Sequence, residues 1–99
     1  MTDLTSKQRA HLRSLAHHLK PIIQVGAEGV TPPLLKTVME AFNTRELLKV
    51  KVLESAPFGA REVADRIVAE LEDVHVAQTI GRVVVLYRPD PEEPEIELP

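Results

Sequence analysis

The chain contains no cysteine. A disulfide framework, a zinc ribbon and a cysteine nucleophile are thereby excluded. Aromatic residues are almost as scarce: Phe42, Phe58 and Tyr87 are the full set, and Phe42 belongs to a helical apolar pattern. Stacking of nucleobases on an aromatic sheet is therefore excluded as the main mode of any nucleic-acid binding. No apolar run approaches the roughly 18 residues of a membrane span. Met1–Ala10 is polar rather than signal-like, so the cytoplasm is the expected location and no membrane partner is expected.

Recognisable catalytic patterns are missing too. There is no His-Glu-x-x-His, no Gly-x-Ser-x-Gly and no Walker-type loop. His11 and His17 are six residues apart on a predicted helix and point in different directions, so His11, His17 and His18 read as surface residues. His75 reads as a structural residue near a strand start, and Ser55 lies in a loop with no adjacent histidine. The expectation is a protein without catalytic residues, metal, cofactor or small-molecule substrate.

Positive charge is short overall, with 12 Lys and Arg against 15 Asp and Glu, a net charge of −3. Its distribution matters more. Asp90, Glu92, Glu93, Glu95 and Glu97 all lie in a proline-rich tail without bases. Residues 1–88 thus carry 12 bases and ten acids, and residues 1–53 eight bases and four acids. The cationic half of the molecule is its first half.

Thr5 followed by Gln8 is a capping box, and Leu12, Leu15, Ala16 and Leu19 repeat as one apolar stripe, predicting a helix over Ser6–Leu19. Arg9, Arg13 and Lys20 fall at i, i+4 and i+11 along one flank that holds no acid. Pro21 ends the helix and leads into a strand at Ile22–Val25. Thr31 caps a second helix with Pro32 at its first position, and Leu34, Leu35, Val38, Met39 and Phe42 form its inner face. Leu47–Leu53 alternates, with Leu48, Val50 and Val52 on one side and Lys49 and Lys51 on the other, as a half-buried strand does. A third helix is predicted over Ala60–Leu71, and Val74–Ile80 and Arg82–Arg88 form a hairpin around Gly81. The predicted fold is one α/β domain over residues 1–88, ordered helix, strand, helix, strand, helix, strand, strand, with a four-stranded mixed sheet. Residues 89–99 are predicted to be a flexible acidic tail that buries nothing.

Between the first strand and the second helix lies Gly26-Ala27-Glu28-Gly29. Two glycines three apart occur in many strand-to-helix turns for steric reasons alone. They also let a phosphate approach the main chain closely, and the following helix would add unpaired first-turn donors and the positive end of its dipole.

Several stretches together resemble one family. Leu4-Thr5-Ser6-Lys7-Gln8-Arg9, Leu19-Lys20-Pro21, Val25-Gly26-Ala27-Glu28-Gly29-Val30-Thr31, Leu48-Lys49-Val50-Lys51 and Ile80-Gly81-Arg82-Val83-Val84-Val85-Leu86-Tyr87-Arg88-Pro89 are similar to the CRM domain, the chloroplast RNA splicing and ribosome maturation domain, in its bacterial stand-alone YhbY-like form. The resemblance implies a fold akin to the C-terminal domain of translation initiation factor three. It also implies RNA binding through Gly26, Ala27, Glu28 and Gly29, with basic support from Lys7, Arg9, Arg13 and Lys20. On the strand pattern alone, Lys49 and Lys51 either extend this basic surface or keep one sheet face soluble. The implied partner is ribosomal RNA in precursors of the large subunit, with ribosomal proteins beside it. The alternative is a protein-interaction adapter that makes contact through the acidic third helix or the tail and uses the glycine loop only as a connector. The loop interior departs from the family's common polar or basic residues, because a carboxylate at Glu28 repels phosphate.

Overall fold

The computed structural model describes residues 4–99; the polar start at 1–3 lies outside them. Helix α1 (Ser6–Ala16) opens with the capping box read from the sequence: Thr5 Oγ1 accepts from Gln8 N–H at 3.1 Å, and Gln8 Oε1 accepts from Thr5 N–H at 3.0 Å. The helix closes at Ala16, three residues before the expected Leu19. Pro21 has no N–H for the carbonyl of His17, its ring would clash with that carbonyl, and it disfavours helical backbone at Lys20. The apolar stripe is correspondingly narrower. Leu12 and Ala16 are buried, whereas Leu15 and Leu19 stand 42% and 39% exposed.

Strand β1 (Ile23–Val25) runs parallel to β2 (Leu47–Val52), and the hairpin β3 (His75–Ile80) and β4 (Val83–Tyr87) completes a sheet ordered β1-β2-β4-β3. Helices α2 (Pro32–Ala41) and α3 (Ala60–Glu70) carry the chain from β1 to β2 and from β2 to β3. Both crossovers step in the same direction across the sheet, so equal handedness places both helices on one face. There they cover Ile23, Val25, Leu48, Val50, Val52, Val84 and Leu86. Helix α1 covers the opposite face, over Leu47, Ala77, Val85 and Tyr87. A bulge between Val76 and Gln78 shifts the register of β3.

The expectation that the tail buries nothing does not hold. Ile96 and Leu98 pack against the α1-side core, beside Leu4, Leu12 and Tyr87. The agent is Glu46, only 8% exposed. Its Oε1 accepts from the N–H groups of Glu95 and Ile96, both at 2.8 Å, and its Oε2 accepts from Asp90 N–H. The Asp90 carboxylate in turn accepts from Glu93 and Glu92 N–H, which holds its pKa below the usual value. A composition rich in proline and acid cannot build its own core, but it can be held by a carboxylate elsewhere in the chain.

Candidate nucleic-acid interface

Parallel β1 and β2 end together at Val25 and Val52, and Val83 of β4 begins opposite Lys51. The glycine turn, the loop after β2 and the Gly81–Arg82 turn therefore gather at one end of the sheet. Gly29 N–H donates to Gly26 carbonyl at 3.0 Å, closing the turn on itself. Gly29 has φ +70° and is buried, and a Cβ there would stand 3.1 Å from Pro57 Cγ. Gly26 has neither constraint, its nearest neighbour to a Cβ being Leu53 Cδ1 at 3.8 Å. Ala27 and Glu28 form the exposed tip.

The donors expected from the next helix are not there. Thr31 Oγ1 caps Leu34 N–H at 3.2 Å, and Leu35 N–H donates to Thr31 carbonyl. The two preceding positions are Pro32 and Pro33, which carry no N–H at all. Helix α2 thus contributes its dipole but no free first-turn amide, leaving the turn's own main chain around Ala27 and Glu28 as the available donors.

The predicted cations separate into two groups. Arg9 lies at the β3 edge, opposite β1, with its Nε 3.5 Å from Val76 carbonyl and Asp65 and Arg61 of α3 near it. Lys7 is in the first turn of α1, the turn whose Gln8 side chain reaches Pro99 carbonyl at the tail end of the domain. Neither is beside the glycine turn. The second group lies on the half of the α1-side sheet face that α1 leaves open. Arg13 borders a groove of about 540 Å³ with Lys49, His17 and His18. Lys49 Nζ donates to Leu19 carbonyl at 2.9 Å, and Lys51, two residues on, is exposed beside Gln24 of β1. Lys20 is exposed in the connection just before β1.

Arg82 is a cation the sequence reading passed over. Its carbonyl accepts from Val52 N–H at 2.7 Å and its Nη1 donates to Leu53 carbonyl at 3.3 Å, so it stands at the end of β2 near the glycine turn. Only the sheet pairing reveals it: Arg82 lies in the hairpin turn just before Val83, the partner of Lys51, and so stands opposite Val52. Arg13, Lys49 and Lys51 form a track along the α1-side face toward the glycine turn, and Arg82 stands at that end of the sheet. Among the described residues the one ion pair is Arg66–Glu62 on α3, so none of the four is neutralised by a carboxylate. Glu28 and Glu54 are the exposed acids at the glycine end of this track. The tail lies at the other end of the same face, so it does not cover the track.

A family model described as the CRS1 / YhbY (CRM) domain matches residues 4–88. The chain is 45% identical over 96 residues to "Probable RNA-binding protein YqeI" of Bacillus subtilis, covering 97% of this chain and 99% of that one. It is 42% identical over 99 residues to a protein of Haemophilus influenzae named "RNA-binding protein", covering 100% and 98%. Among solved structures, that of the hypothetical protein SAV1595 from Staphylococcus aureus is similar at TM-score 0.79 and 40% identity, over 97% of this chain and 99% of the other.

Proposed function

Because this chain belongs to the CRS1 / YhbY (CRM) domain family, we propose that it is a non-catalytic RNA-binding protein of the cytoplasm. It holds ribosomal RNA in precursors of the large subunit by the phosphate backbone. The observation that carries this reading is the unpaired track of Arg13, Lys49 and Lys51 leading toward the glycine turn, with Arg82, also unpaired, at that end of the sheet. Cations without carboxylate partners keep their full attraction for phosphate, and each phosphate they neutralise releases condensed counterions. Ala27 and Glu28 present main chain at the end of the track, where it positions the backbone without reading sequence. Lys20 lies beside this surface, and Lys7 and Arg9 contribute only to the general field. The adapter alternative loses support at the tail, because Ile96 and Leu98 pack on their own domain.

Fluorescence anisotropy with ribosomal RNA fragments tests the reading. Four phosphate contacts give a log–log salt slope of about −3, and replacing Lys51 and Arg82 with alanine should bring it to about half that, while Arg9→Ala changes it little. Absence of binding at low salt, or a slope near zero, would refute the proposal. Co-sedimentation with large-subunit precursors on a sucrose gradient tests the ribosomal part separately, and a protein that stays in the top fractions at low salt refutes that part.

A further inference from the structure

The groove beside α1 holds more than cations. Its lining pairs Arg13 and Lys49 with two exposed imidazoles, the Gln78 amide and Ile80. Ile80 is 59% exposed, the most exposed large hydrophobic among the described residues, and Leu19 and Ile22, also exposed, flank Lys49 through its hydrogen bonds. Duplex RNA presents phosphates and sugars on its outside, and binding it requires no such apolar surface. An unpaired base does, because its faces must leave water when it is splayed from the stack.

We propose that the groove between the C-terminal turn of α1 and the open half of the sheet holds an unpaired nucleotide of the bound RNA. The base lies against Ile80 and one histidine ring, Gln78 meets its hydrogen-bonding edge, and Arg13 and Lys49 take the flanking phosphates. His17 and His18 stand edge to face, 5.2 Å between centroids and 78° between planes, so one ring stacks while the other offers an N–H at its rim. The volume of about 540 Å³ falls in the range of about 300–1,000 Å³ typical of small-ligand sites. No carboxylate lines the groove, which fits a polyanion. An acidic peptide would satisfy the cations but leave the imidazole face and Ile80 without a flat apolar partner. This inference rests on the RNA-binding reading and adds to it a preference for single-stranded segments, through residues separate from the glycine turn.

The test compares a fluorescein-labelled 12-nucleotide oligoadenylate RNA with a 12-base-pair RNA duplex at one salt concentration. Wild-type protein should bind the single strand more tightly. The double substitution His17→Ala/His18→Ala, and separately Ile80→Ala, should weaken single-strand binding roughly tenfold, as the loss of one stacked base does, and leave duplex binding within twofold. All three side chains are exposed, so these variants fold. Single-strand binding that stays within twofold in both variants, or a wild type that prefers the duplex, overturns the groove assignment while RNA binding itself stands. A wild type that binds neither probe overturns both.

Discussion

Glu46→Gln is a near-isosteric change that removes one charge from beneath the tail. In the native chain three tail N–H groups converge on this carboxylate. Hydrogen bonds to a charged acceptor contribute about 1.5–3 kcal/mol each and neutral ones about 1. The amide's single oxygen can keep the Glu95 and Ile96 donors as neutral bonds, but its NH₂ then faces the N–H of Asp90, donor against donor. The direct loss is therefore about 2.5–7 kcal/mol. The observed loss is capped lower, because the tail can let go. Ordering each tail residue costs about 1–2 kcal/mol, which offsets most of what the three bonds and the half-buried Ile96 and Leu98 contribute. The expected destabilisation is about 1–2 kcal/mol, a fall in Tm of about 5–10 °C for a domain of this size. Thermal unfolding of four chains measures it: wild type, Glu46→Gln, the chain lacking residues 90–99, and the two changes combined. Glu46→Gln should cost almost nothing in the truncated chain, where its partners are gone, giving a coupling of about 1–2 kcal/mol. An equal cost in both backgrounds would refute the assignment of Glu46 as the tail's anchor. RNA affinity should be unchanged in all four, since the tail lies away from the cationic track.

Two further outcomes follow from single positions. Gly29→Ala should destabilise by about 1–2 kcal/mol, because an L-residue in the left-handed region is strained and its Cβ would press on Pro57; Gly26→Ala should cost less than about 1 kcal/mol, and equal losses by urea unfolding would contradict the geometry. Tyr87 is the chain's one tyrosine, and burial first, then the Glu46 carboxylate, hold its pKa above 10.0. Its neutral form is therefore the one the fold favours. This contribution to stability is complete below the unfolded value of about 10 and is lost as pH rises through the folded one. Ultraviolet titration should find phenolate forming above pH 10 in the wild type and earlier in Glu46→Gln; the same midpoint in both would remove Glu46 as a cause.

Local signals carried most of the architecture. The capping box at Thr5 and Gln8, the proline at the start of α2, the alternation Leu48-Lys49-Val50-Lys51-Val52 and the tight turn at Gly81 each depend on neighbours within a few residues. All four appear where the sequence put them. The failures share the opposite property. Leu15 and Leu19 match the helical period of Leu12, but burial depends on how much of α1 the sheet covers, and Ile80 and Lys49 remain open beside it. Glu46 meets its partners 44 to 50 residues away, beyond any local pattern.

At the candidate site the same division separates what a short stretch dictates from what the fold decides. The glycine turn was legible because positive φ at Gly29 is a local requirement. The first-turn donors expected of α2 were misjudged although the cause is local, since Pro32-Pro33 removes two donors and Thr31 occupies the next. Arg13, Lys49 and Lys51 were named from the sequence, but their grouping was not legible, because periodicity places Arg9 and Arg13 on one helix flank and leaves open what that flank faces. Helix α1 runs alongside β3, so Arg9 meets Val76 and the acid of α3, while one turn later Arg13 clears that edge and faces the open sheet. Arg82 reaches the glycine end of the sheet only through the antiparallel pairing of β4 with β2, which sets it opposite Val52. A backbone-binding surface is thus assembled by strand order. Inserting β4 between β2 and β3 places Lys49 and Lys51 at the centre of the sheet, between the glycine turn on one side and the histidines of α1 on the other.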